Sequence, residues 1–224
     1  MNYKDELGKR YLVCLEPQHR FDMHDYELLP GNKYEKYYDL IPKGSRVLHL
    51  GCGTGREVLL GKEYGFTSTG ITIGKENIKF GHETLGLNEQ ELVEGYCEVL
   101  PFQAEEFDYV IGCQIFEHAI APMLFLLEQN RVLKPGGQII LEWPPCFGHG
   151  THGADPQHQI CFTPGQGQGL LLKAGFVDIK LYYNDMTEIP ETNYWHGDAG
   201  YVIAIATKIS TDVDYIKKYQ ELKG

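Results

Sequence analysis

The feature that most constrains this chain is the stretch VLHLGCGTG at residues 47–55. An unbroken apolar run ends in glycines at positions 51, 53 and 55. A run without polar alternation reads as a strand covered on both faces. Glycines at every second residue after it read as a tight turn, whose backbone N–H groups approach a ligand at the N-terminus of the next helix. His49 stands inside that strand, where strands of this type usually carry an acid.

The same logic carries down the chain. Apolar strands are expected at Arg46–Leu50 and at residues 67–73, 91–94, 107–113, 138–143, 176–183 and 201–207, with helices over 55–64, 75–85, 122–133 and 165–174. Alternating strands and helices of this kind build an α/β fold, a Rossmann-like, mostly parallel seven-stranded sheet with helices on both faces. The link before the last strand is short of helical signal, so that strand is expected to enter antiparallel. Three segments follow: an N-terminal helical cap at 1–44, a main domain at 45–209 and a charged tail at 210–224. Within the first, Tyr34, Tyr37, Tyr38 and Ile41 fall at helical spacing, which suits either a face packed on the main domain or a cap over a ligand.

A glycine turn alone serves a nicotinamide, a flavin or S-adenosyl-L-methionine. Here the third glycine comes one residue early for the dinucleotide fingerprint, which disfavours a nicotinamide reductase. Five blocks in order then resemble the class I S-adenosylmethionine-dependent methyltransferases, in the branch whose first motif reads V-L-D-L-G-C-G-T-G. They are VLHLGCGTG, STGITIGKENIKF, VEGYCEVLPFQAEEFDYVIGCQIFEH, RVLKPGGQIILEWPP and LLLKAGFVDIKL. The resemblance spans roughly residues 34–208.

That resemblance implies a cofactor site. Backbone at Gly51, Cys52 and Gly53 would line the methionine part, with Gly55 opening the helix. Thr72 and Ile73 fall where an acid usually grips the ribose hydroxyls. Tyr96 replaces the usual adenine-facing acid, Cys97 offers a backbone N–H to the ring, and the Cys113–Gln114 turn faces the methionine amino group. Three customary acids are thus replaced, by His49, Thr72 and Tyr96. Two readings follow: a degraded site, or a site that uses other groups. GITIGKEN resembles the second strand of the fatty-acid cyclopropane synthase branch, with Asn77 where Gln is common, and a hydroxyl plus an amide can satisfy ribose hydroxyls without charge. Losing a bidentate acid–diol pair costs roughly 1.5–3 kcal/mol.

Methyl transfer asks for in-line positioning and sometimes a base. Glu117 and His118 follow the fourth strand at the edge where α/β sheets bind ligands, and His158 lies in a loop after the fifth strand; these are the candidate catalytic residues. Each has a plainer role, since a Glu-His pair there also packs the next helix. His149, His152 and His158, with Asp155 close by, suit either a substrate-facing lid or a divalent metal site. An aromatic loop at 191–201 could wall an apolar pocket or pack against the N-terminal tyrosines.

With 20 Lys and Arg against 31 Asp and Glu, the net charge is −11. That balance argues against general attraction to nucleic acid or anionic membranes, because phosphate binding needs clustered cations, and leaves room for a local basic site. The N-P-P-[FY]-type motif of base-amino methylators is also absent, and CQIFEH stands in its place. The six cysteines form no C-x-x-C pair. A cytoplasmic protein moving a methyl group to O, N or C of a small-molecule acceptor is expected, without nucleic-acid or membrane partners. The rival readings are a non-catalytic binding module of the same fold and a metal-assisted enzyme built on the histidine loop.

Overall fold

β1 (Arg46–Leu50) forms where the apolar run sits, and its side chains divide between two buried faces. The computed structural model describes residues 34–144, 158–194 and 201–209. A short helix α1 (Glu35–Tyr38) precedes β1. After it come α2 (Arg56–Glu63), β2 (Thr67–Thr72), α3 (Lys75–Glu83), β3 (Leu92–Glu94) and β4 (Phe107–Cys113). A 3-10 turn (Phe116–His118) leads to α4 (Pro122–Val132), β5 (Leu133–Trp143), α5 (Pro164–Lys173), β6 (Phe176–Tyr182) and β7 (Val202–Lys208).

The strands pair in the order β3-β2-β1-β4-β5-β7-β6. β7 lies antiparallel between β5 and β6, as expected of a link without helical signal. β1 pairs in parallel with β2 on one side and with β4 on the other. The chain therefore winds outward in both directions from β1 and β4. Connections leave those two strands toward opposite faces, which opens a crevice at their carboxyl ends.

On one face Val47, Ile111, Ile140 and Ile203 pack against Tyr37, Tyr38, Ile41 and Phe66. On the other, Leu48, Val110, Ile139 and Leu141 meet Phe125 and Leu126 of α4 and Leu171 of α5. The described part of the N-terminal segment is thus a packed face, with Tyr37 and Tyr38 both 1% exposed. The fifth strand begins five residues earlier than expected. Phe107 pairs with Leu133 and Tyr109 with Gln138, so an irregularity absorbs the Lys-Pro-Gly-Gly turn inside β5. Among the described residues no helix is long and apolar enough to cross a membrane.

α3 crosses close behind the glycine turn, and Gly81 makes the approach possible. A Cβ at Gly81 would overlap the Leu92 side chain and lie 2.7 Å from the Thr54 carbonyl oxygen, which belongs to the turn itself. Backbone cannot step aside as a side chain can. Gly81→Ala is therefore expected to lose about 1–3 kcal/mol of stability to overpacking, although alanine is the better helix former by about 1 kcal/mol. Urea unfolding of the two proteins reads the difference.

Candidate functional site

The turn after β1 is held by its own backbone. Gly51, Gly53 and Gly55 take φ values of 61°, 52° and 92°, a region that side chains strain to enter. The Cys52 N–H donates to the Ile71 carbonyl at 3.2 Å, and the Gly55 N–H to the Cys52 carbonyl at 2.9 Å. Cys52 and Cys97 are buried beneath the turn, and burial pushes both thiols well above their ordinary pKa. They are neutral packing groups. The Gly51 N–H rests on the Cys97 sulfur.

His49 faces the packed interior at 2% exposure. Its Nδ1 is 3.3 Å from the Tyr38 hydroxyl and its Nε2 is 3.3 Å from Ser68 Oγ. The Tyr38 hydroxyl donates to the Glu57 carbonyl at 3.0 Å, so its oxygen is left to accept from Nδ1–H. The bare Nε2 then accepts from Ser68. Burial lowers the His49 pKa to about 3, and the ring stays neutral. Where a charged acid is customary, this chain places an uncharged ring braced from both sides. A cavity of about 10 Å³ separates it from Tyr34, Cys52, Glu57 and Cys113.

Thr72 and Asn77 converge on one atom. Thr72 Oγ1 and Asn77 Nδ2 donate to the Ile73 carbonyl at 3.3 and 3.2 Å. Each side chain keeps an acceptor oxygen, the donor–acceptor complement that a pair of hydroxyls needs. Tyr96 is half-buried just past β3, with its pKa raised by burial and then by Glu94. Cys97 turns inward, and its carbonyl accepts from Gln129 Nε2 at 2.8 Å.

β4 ends at Cys113, and Gln114 follows with φ of 55°, a conformation uncommon outside glycine. Its N–H donates to the Glu142 carbonyl at 2.9 Å, and its Nε2 to Glu142 Oε1 at 3.0 Å. Glu142 Oε2 accepts from the Tyr37 hydroxyl and from Lys36 Nζ, the latter at 3.3 Å. Sequence reasoning missed this carboxylate, which is 6% exposed at the end of β5. Its signal was present: QIILEW carries a single acid in an otherwise apolar strand.

The structure brings Glu117, His118 and His158 together across forty residues of sequence. Their donor atoms all lie within 4.8 Å of one another. Glu117 is 1% exposed, and its carbonyl accepts from the Gln159 and Ile160 N–H groups at 2.9 and 3.3 Å. Beneath them the Phe116 ring stacks on Phe162, 4.5 Å between centroids, and meets Trp143 edge-on. His149 and His152 lie outside the described residues, as do Trp195 and His196.

Residues 48–141 match the family model described as a methyltransferase domain. A demethylmenaquinone methyltransferase of Staphylococcus aureus is 36% identical over 104 residues, 45% of this chain and 43% of that protein. The chain thus matches less than half the length of this relative. An S-adenosylmethionine-dependent methyltransferase from Archaeoglobus fulgidus superposes with a TM-score of 0.66 at 20% identity, covering 84% of this chain and all (100%) of that one. A phospholethanolamine N-methyltransferase of Haemonchus contortus, solved with phosphomonomethylethanolamine and S-adenosylhomocysteine, gives 0.61 at 16% identity over 78% of this chain and 51% of that one. Residues 48–141 are thus similar to a methyltransferase domain, and the sheet around them shares the fold of these S-adenosylmethionine-dependent methyltransferase structures.

The neutral His49 has a measurable consequence. Its folded pKa of about 3 lies below the unfolded value near 6.5, so the unfolded chain binds the proton that the folded chain refuses. Stability from this group is complete above about pH 6.5 and is lost as the pH falls from there toward 3. Between pH 7.5 and 5.0 the wild type is expected to lose about 2 kcal/mol more than His49→Asn. Denaturant unfolding at the two pH values reads the difference in slope.

Proposed function

We propose that this domain binds S-adenosyl-L-methionine and transfers its methyl group to a small-molecule acceptor. The observation that carries the reading is the glycine turn: it sits at the crevice between β1 and β4, inside the segment that matches the methyltransferase model. The surrounding residues fit the cofactor. A side chain at Gly51 would fill the turn, since its Cβ would lie 2.6 Å from Ile115 Cδ1. Thr72 and Asn77 present acceptors where two ribose hydroxyls would donate.

The cofactor supplies a methyl group already activated on a sulfonium, so the protein needs chiefly to bind, orient and exclude water. In this reading backbone at Gly51, Cys52, Gly53 and Gly55 receives the methionine end. Thr72, Ile73 and Asn77 take the sugar, and Tyr96 with the Cys97 backbone borders the adenine. The Cys113–Gln114 turn meets the amino group, with His49 bracing the turn from beneath. Glu117, His118 and His158, at the same sheet edge, orient the acceptor.

The acceptor class follows from charge and kinship. A net charge of −11 repels polyanions. The S. aureus relative is named for a small-molecule acceptor, demethylmenaquinone.

Calorimetric titration with S-adenosylmethionine and S-adenosylhomocysteine tests the reading. Micromolar binding is expected, weakened at least about tenfold by Gly53→Arg, which places a side chain at φ of 52° in the turn. The absence of binding by a folded, monodisperse wild type would overturn it.

A further inference from the structure

We propose that Glu117, His118 and His158 form a binding site for one divalent first-row transition cation. Three observations support the assignment independently of the methyl-transfer reading.

The first is convergence. Two imidazoles and a carboxylate from distant segments place their donor atoms within 4.8 Å of one another. His118 Nε2 lies 3.9 Å from Glu117 Oε1, and the two imidazole rings meet edge-on with centroids 4.9 Å apart. Zinc bonds nitrogen and oxygen at about 2.0–2.2 Å, so tetrahedral ligands sit roughly 3.5 Å apart. The site needs a small contraction, and His118, with a side chain 24% exposed, has room to turn.

The second is rigidity. The two segments are tied by the Gln159 and Ile160 N–H groups on the Glu117 carbonyl. The stacked Phe116 and Phe162 rings lock the flanking backbone on the side away from solvent. Donors held this way lose little entropy when a metal arrives.

The third is charge. Glu117 is 1% exposed, and a carboxylate at that depth is stabilised by a cation it can ligate directly. Two nitrogens and one oxygen favour zinc, iron(II) or manganese(II) over magnesium or calcium, which prefer oxygen shells. Three protein ligands leave coordination positions open, the pattern of metal sites that also receive a small molecule. That the open positions meet the acceptor rests on the proposed function; cation binding does not.

The test uses the full chain, stripped with a chelator and titrated with zinc by calorimetry, with bound metal counted by mass spectrometry. One equivalent is expected at micromolar affinity or tighter. His118→Ala and His158→Ala should each weaken it by at least about 100-fold. A double variant, His149→Ala with His152→Ala, should keep it. Cobalt(II) should give visible d–d bands in the wild type that both ligand variants lose. No stoichiometric binding by the folded wild type would overturn the proposal. So would binding indifferent to His118 and His158, binding lost in the His149/His152 variant, or equal competition by magnesium. Titration of the same stripped protein with S-adenosylmethionine keeps the two readings separate, since either can fail while the other stands.

Discussion

A parallel sheet covered on both faces leaves its polar chemistry only one place to go. The interiors of β1, β4 and β5 are apolar because each strand faces packed side chains above and below. Charged and hydrogen-bonding groups therefore collect where the strands end. The glycine turn, the Gln114–Glu142 pair and the Glu117 cluster are all products of that exclusion. His49 lies within a strand, and it survives there because Tyr38 and Ser68 give both ring nitrogens a partner.

Three tyrosines from one short segment tie the strand ends together. Tyr34 donates to Glu57 Oε1 at 2.7 Å, at the start of α2. Tyr37 donates to Glu142 at the end of β5, and Tyr38 bridges His49 and the Glu57 carbonyl. Each phenol combines a large apolar body, packed against the sheet, with one polar tip placed on α2, β1 or the end of β5. Burial, followed by neighbouring groups that include Glu57 or Glu142, raises the pKa of all three. They remain neutral donors as the pH rises.

Much of this architecture is legible in the sequence because its signals are local. β1 and β4 can be read to the residue, since apolar runs bounded by glycine or turn residues have few alternatives. β5 is misjudged at its start because pairing with Phe107, a long-range contact, holds the Pro-Gly-Gly turn within the strand. At the candidate site, positions along the glycine turn follow from spacing alone. The meeting of Glu117 with His158 does not, because it depends on how the chain returns after β5. Glu142 is missed for the same reason: its donors Lys36 and Tyr37 are more than a hundred residues upstream.

That separation orders events during synthesis. The Tyr37–Glu142 contact joins positions 105 residues apart. At about 5–20 residues per second, Tyr37 is synthesised about 5–20 s before its carboxylate partner. β1, the glycine turn and α2 are made early in that interval, while one flank of their sheet is still unmade. Tyr34 and Tyr38 have their partners early, whereas the closing of the Tyr37 contact marks the arrival of β5 in the sheet.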